Sequence, residues 1–190
     1  MEESINMPNT DNSLSSKDTE VSISFEKTKS KNFNIEEHII NSIVLNLEEI
    51  IEENKHKSKK DLFYLPNIPS ISLFDYIKRL MKYSKMEISS LIIAIIYIDS
   101  FCNINKYILT QNNIYTILLS ACLISLKFNE DIIVNFNRYS EIAGVSVNML
   151  KKLEFQMYLM LHFSLRVKYD IYKSYYDYFS NYPIPINKSK

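Results

Sequence analysis

The stretch Ile114–Phe128, IYTILLSACLISLKF, constrains what this chain folds into more than any other segment. It runs fifteen residues without Pro or Gly, and its single charge is Lys127. Its apolar residues fall on every side of a helical wheel, so it reads as a helix buried nearly all round rather than an amphipathic surface helix. A charge at the end of such a helix is costly unless a partner meets it. The rest of the chain must therefore surround this helix and supply a group for the ammonium.

Other segments read as its neighbours. Residues 1–33 are polar, rich in Ser, Asn, Lys and Glu, and are expected to form a disordered tail. Asn34 and Glu37 have capping-box spacing, and Ile35, Ile39, Ile43, Leu47 and Ile50 recur at helical intervals, predicting an amphipathic helix within residues 34–57. Its end runs into KHKSKK (Lys55–Lys60), a solvated basic loop, with nuclear targeting the second reading. Residues 58–71 form an extended linker holding two prolines, and its Phe63, Tyr64 and Leu65 should pack on the domain.

Ser72 with Asp75 opens a helix over LFDYIKRLMKYS, with Leu73, Tyr76, Ile77, Leu80 and Met81 on one stripe. A third helix is predicted over about Met86–Cys102, and the central helix follows Thr110 as its N-cap. A short turn of helix near Asn137–Ala143 ends at Gly144, suited to a left-handed position. Ser146 caps a further helix to about Phe163, with Leu150, Leu153, Met157 and Leu161 inward, and Tyr169–Phe179 gives a last short helix. The fold class is all-α: a compact five-helix array over residues 72–168, an extra N-terminal helix, and a short C-terminal helix and tail over 169–190.

Composition narrows the function. Lys+Arg and Asp+Glu are 22 each, so no electrostatic footprint for nucleic acid or an anionic membrane is expected. One Gly in the chain excludes glycine-rich phosphate loops. Cys102 and Cys122 lie in apolar runs and read as reduced, buried thiols of an intracellular protein. The polar N-terminus is not a signal peptide. The longest apolar run, Ile88–Cys102, is too short to span a bilayer and carries Asp99. His38, His56 and His162 fall at no metal-ligand spacing, and His162 reads as a helix-end residue favoured by the C-terminal dipole. No catalytic residue, metal, cofactor or small-molecule ligand is expected.

Four charges interrupt apolar helical contexts: Arg79, Asp99, Lys127 and Glu154. Arg79 and Asp99 read as a buried structural ion pair between two helices, because an unpaired buried Asp is strongly penalised. Lys127 and Glu154 fit another such pair or ordinary helix-end charges. They equally fit a clamp on an external partner, the lysine donating to backbone carbonyls and the glutamate accepting from backbone N–H groups.

The order and spacing of YIKRL, a helix ending IIYIDSF, an apolar helix ending LKF, and GVS leading into a helix with LE resemble the cyclin box. More narrowly, NLEEIIEEN, the Pro-containing segment before ISLFDYIKRLMKY, and RYSEIAGVSVNMLKKLEFQMYLMLHFSLRV are similar to the single-box P/U-type cyclins, which include the phosphate-signalling cyclins of fungi. The likeness covers roughly Asn46–Tyr176, and too little chain follows Val167 for a second box.

The resemblance implies a non-catalytic subunit that binds and activates a cyclin-dependent protein kinase, in the nucleus or the cytoplasm, with a place in kinase regulation and the cell cycle. It implies that Lys127 and Glu154 hold the kinase backbone leading into its C helix, and that Arg79 and Asp99 fix the first two box helices. The interface is expected from Leu119, Leu123 and Phe128 of the central helix, the Met149–Glu154 side of the helix capped by Ser146, including Leu150, and part of the N-terminal helix. The family's usual D-R is Asp99-Ser100 here, and Leu126 replaces a small residue beside the lysine. DYIKRLMKY departs from the substrate-docking motif of two-box cyclins, so no such docking is expected. The alternative is a cyclin-fold transcription factor or a helical scaffold.

Overall fold

A computed structural model of the chain describes residues 34–57, 60–131 and 133–184. The polar tail expected over residues 1–33 and the residues after 184 lie outside the described residues, as do Ser58 and Lys59 of the basic run. Seven helices make up the described structure: α1 (Ile35–Glu53), α2 (Leu73–Ser84), α3 (Ile88–Asn105), α4 (Ile114–Asn129), α5 (Phe136–Ala143), α6 (Val147–Met160) and α7 (Tyr169–Ser180).

The central segment is α4, and every residue from Ile114 to Leu126 is buried. It packs against α3, α6 and α2, while α7 packs on both α3 and α1, α1 also meets α2, and α5 bridges α2 and α6. Burying α4 encloses its hydroxyls, and each finds a carbonyl. Thr116 donates to the Phe63 carbonyl, Ser120 Oγ to Thr116 at 2.6 Å, and Ser125 Oγ to Ser90 of α3 at 2.6 Å. With its 18 residues α3 is long and apolar enough to cross a membrane by those two criteria, longer than the sequence suggested. Half of it is buried inside this array, as suits the core helix of a helical domain.

Helix starts follow their sequence signals. Asn34 Oδ1 accepts from the Glu36 and Glu37 amides, Ser72 Oγ from Asp75, and Ser146 Oγ from Met149. The start of α4 does not: Thr110 lies before the helix and Asn113 is the N-cap, but its side chain caps no helix amide, because Oδ1 accepts from the Thr110 amide at 2.8 Å. The predicted inward stripes are buried at Ile39, Ile43 and Leu47 of α1, at Leu73, Tyr76, Ile77 and Leu80 of α2, and at Leu150, Leu153, Met157 and Leu161 on and just after α6.

Helix ends show what a chain with one glycine does instead. Gly144 takes the left-handed C′ position at φ 72, with Val145 N bonded to the Ser140 carbonyl. Lys85, Lys106 and His162 hold equivalent positions at φ 59, 50 and 52. The bonds Met86 N to Met81, Tyr107 N to Cys102, and Phe163 N to Tyr158 close the same motif. This stops α6 at Met160, short of Phe163, whose ring stacks on Tyr158 at 6.2 Å.

The linker is anchored rather than loose. Phe63 is buried edge-on to Phe101 at 5.4 Å, and Leu65 exchanges two hydrogen bonds with Asn112 ahead of α4. Tyr107 Oη donates to the Asp61 carboxylate at 2.7 Å, and Tyr115 Oη to the Ile71 carbonyl at 2.6 Å.

Candidate functional site

Lys127 lies in the last turn of α4, where Asn129 Nδ2 bonds back to Ser125 and Glu130 Oε1 accepts from the Glu87 amide ahead of α3. The end of the helix, and so the root of the lysine, is fixed on two sides. Glu154 sits midway along α6, within about 40° of Leu150 on the helical wheel. Leu150, Leu153 and Met157 turn inward, and they carry the adjacent Glu154 to 7% exposure as a residue. The packing of α4 on α6 then brings Lys127 Nζ to 2.7 Å from Glu154 Oε1.

The pair is asymmetric: the lysine side chain is 34% exposed and the glutamate side chain 10%. The ammonium also lies over the Phe136 ring, 4.8 Å from its centroid, with Lys151 Nζ at 5.9 Å from the same ring. One turn on from Glu154, the Tyr158 hydroxyl is pushed up to about 12, first by burial and then by the Glu154 charge, so it stays protonated. Lys127 has three donors and Glu154 engages one of them; Glu154 Oε2 accepts from no described residue. The pair thus neutralises itself while keeping donors and an acceptor for another molecule's backbone.

The other expected interface residues divide. Phe128, next to Lys127, is 57% exposed and available to a partner. Leu119, Leu123 and Leu150 are not: all three are buried in the core, because α4 is enclosed on every side and Leu150 is part of the seam where α6 meets it. The large apolar side chains that α6 leaves exposed are instead Phe155, next to Glu154 and at 59% exposure, and Leu159. A signal for them existed. With Leu150, Leu153, Met157 and Leu161 facing inward, Phe155 and Leu159 are left as two large apolar side chains on the polar face.

The expected Arg79–Asp99 pair is corrected. Both residues are exposed. Arg79 reaches from α2 toward α5, where Nη2 donates to the Glu141 carbonyl at 3.4 Å. Asp99 faces α7 and accepts from Tyr175 Oη at 2.8 Å and Asn103 Nδ2 at 3.1 Å. The helix packing turns the two residues toward different neighbours, so neither carries the desolvation cost that made a mutual pair necessary. No group of three His, Cys, Asp or Glu side chains is gathered for a metal among the described residues.

The family model described as cyclin matches residues 4–165 of this chain. Among curated proteins, the chain is similar to Cyclin-P3-1 of Oryza sativa subsp. japonica, 26% identical over 128 residues, which covers 67% of this chain and 54% of that protein. It is similar to Cyclin-U2-2 of Arabidopsis thaliana, 27% identical over 118 residues, covering 62% of this chain and 51% of the relative. Cyclin-U1-1 of Arabidopsis thaliana is 26% identical over 140 residues, with 73% and 67% covered. The chain spans about half the length of the first two of these relatives.

Proposed function

This chain belongs to the cyclin family, as a single-box member of the P/U type, and from that premise we propose that it is a non-catalytic regulatory subunit that binds and activates a cyclin-dependent Ser/Thr protein kinase. The observation that carries the proposal is the Lys127–Glu154 pair: opposite charges 2.7 Å apart, one nine-tenths buried, with exposed Phe128 and Phe155 as the next residue on each helix. Apolar surface supplies area, and the two charges supply register. The lysine donates to carbonyls at the end of a partner segment, and the glutamate accepts from N–H groups one turn away.

On this reading the partner segment leads into the kinase C helix. Holding it inward completes the kinase's own Lys–Glu ion pair and the metal geometry that phosphoryl transfer requires. The chain is then a ligand with higher affinity for the active kinase conformation, and its differential affinity sets how far the population shifts. Such a subunit works where its kinase is, in the nucleus or the cytoplasm.

The test combines purified chain with cyclin-dependent kinases from the source organism, followed by co-precipitation and phosphorylation of a Ser/Thr-Pro peptide. Wild-type chain retains and activates a kinase; the Lys127→Ala/Glu154→Ala variant, still helical by circular dichroism, does neither. Equal retention by both proteins would refute the clamp and leave the kinase partnership standing. Retention by neither would refute the partnership.

A further inference from the structure

Between α1, α3 and α7 lies a cavity of ≈ 490 Å³ that shares no residue with the Lys127–Glu154 site. That volume falls within the roughly 300–1,000 Å³ typical of pockets that enclose a ligand. Its walls are mostly apolar, with Leu47 and Ile50 from α1, Ile95 and Ile98 from α3, Leu109 from the loop after α3, and Phe179 from α7, while Asn46, Asn54 and Ser174 add neutral polar groups. Cys102 adds to them, since burial and then the nearby Asp99 charge push its thiol up to about 12 and keep it neutral.

One charge sits in this cavity, the Asp99 carboxylate, and no Lys, Arg or His is among the lining residues. Tyr175 and Asn103 both donate to Oδ2, so the carboxylate is held in place while Oδ1 accepts from no described residue. Burial, followed by the bond to Asp99, raises the Tyr175 hydroxyl above its ordinary value and keeps it a donor. Arg79, the expected counter-ion, is engaged with the Glu141 carbonyl instead. Beyond the lining residues, Lys57 Nζ donates to Asn54 Oδ1 at 3.0 Å and Tyr182 Oη to Glu49 Oε2 at 2.9 Å, so Asp99 is the charge that faces the cavity itself.

An apolar cavity with a fixed carboxylate and no cation favours an occupant that brings both an aliphatic body and a positive charge, and disfavours an acidic one. The apolar surface does not stop at the cavity. Ile108 and Tyr178 line it and are themselves exposed at 40% and 51%, so it continues over the rim and suits a chain lying across the mouth.

We propose that this cavity is a docking site for a polypeptide segment in which a Lys or Arg adjoins aliphatic side chains. The aliphatic groups fill the space between α1, α3 and α7, and the ammonium or guanidinium donates to Asp99 Oδ1. The site belongs to the chain alone and does not depend on the kinase reading.

To test this, a phage library of randomised decapeptides is selected on the full chain. The consensus peptide, labelled with fluorescein, is titrated by anisotropy against wild type, Asp99→Asn, Ser174→Trp and Lys127→Ala. Ser174 lines the cavity from its exposed side, so the Trp fills space without entering the core. The expected consensus carries a Lys or Arg beside Leu, Ile or Val. Its affinity falls about tenfold or more on Asp99→Asn, as for loss of a charge-assisted hydrogen bond. It is lost on Ser174→Trp and unchanged on Lys127→Ala. Circular dichroism confirms folding, and Ser174→Trp decides the matter alone if Asp99→Asn unfolds. Peptides without a basic residue, equal binding to wild type and Asp99→Asn, or failure of Ser174→Trp to block binding would overturn the proposal. Binding of n-hexylamine with no peptide selected would give the cavity to a small cation and overturn it as well. A chain dimer broken by Ser174→Trp would give it to a second copy, with the same consequence.

Discussion

Replacing Lys127 by Met should destabilise the free chain more than replacing Glu154 by Gln, although each substitution breaks the same 2.7 Å ion pair. The difference lies in what is left behind. Lys127→Met keeps the aliphatic stem but strands a carboxylate that is nine-tenths buried, and it removes the ammonium from the Phe136 ring at 4.8 Å. An orphaned buried acceptor costs about 1–3 kcal/mol, and a lost cation–π contact adds about 0.5–1 kcal/mol. The lysine is a third exposed, so the pair is partly screened, and the total is discounted to about 1.5–2 kcal/mol. Glu154→Gln keeps shape, volume and an acceptor for the lysine, and the stranded ammonium rehydrates through its exposed side. Its cost should be about 0.5–1 kcal/mol. Urea titration followed by circular dichroism at 222 nm reads both values. The midpoint should fall further for Lys127→Met with the slope unchanged, and the melting temperature should drop by about 3–8 °C. A Glu154→Gln variant that loses more stability than Lys127→Met would refute the argument, because the asymmetry of burial could not then control the cost. Kinase binding should not follow this order. Both variants should lose it comparably, about 2–5 kcal/mol, because each removes one end of a charge pair that a partner would desolvate.

The remaining expectations address the core, the helix ends and the thiols. Leu123→Ala and Leu150→Ala should each cost about 2–5 kcal/mol of stability, since both side chains are fully buried. Phe128→Ala and Phe155→Ala should change stability by less than about 0.5 kcal/mol, yet weaken kinase co-precipitation. Lys106→Gly should stabilise the chain by about 0.5–1 kcal/mol, because φ 50 favours glycine. Gly144→Ala should cost about 1–2 kcal/mol through its φ of 72 alone, since an added Cβ meets nothing within 4 Å. Burial pushes the Cys122 thiol up to about 12, and burial with the Asp99 charge does the same for Cys102. Neither should react promptly with a disulfide reagent at pH 8, and both should react once guanidinium is added. Above the ordinary thiol range the unfolded chain releases protons that the folded chain keeps, so stability should fall as pH rises from about 9.

The local features of this protein were legible in its sequence because their causes are local. Asn34, Ser72 and Ser146 cap helices because each side chain reaches an amide two or three residues on. Gly144 ends α5 because φ 72 suits no other residue as well. The fifteen-residue, largely apolar stretch Ile114–Phe128 could settle only in the middle of a helical array, and that placement required a partner for Lys127. Family likeness then pointed to Glu154, and α4 packing on α6 put the carboxylate there.

Which side chains face which helix was decided by the tertiary structure alone. Leu119, Leu123 and Leu150 have the same composition whether they meet a partner or a neighbouring helix. The enclosure of α4 and its seam with α6 buried all three, leaving Phe128, Phe155 and Leu159 as the outward apolar residues. Arg79 and Asp99 read as a pair because each sat in an apolar helix, and a lone charge there would be expensive. Yet α2 aims Arg79 at α5, while α7, remote in sequence, brings Tyr175 to Asp99. The sequence by itself determined which residues had to be buried or capped and that Lys127 needed a partner. Long-range contact geometry chose the partners, because hydrogen bonds and ion pairs form between whichever groups the packing of whole helices brings within about 3 Å.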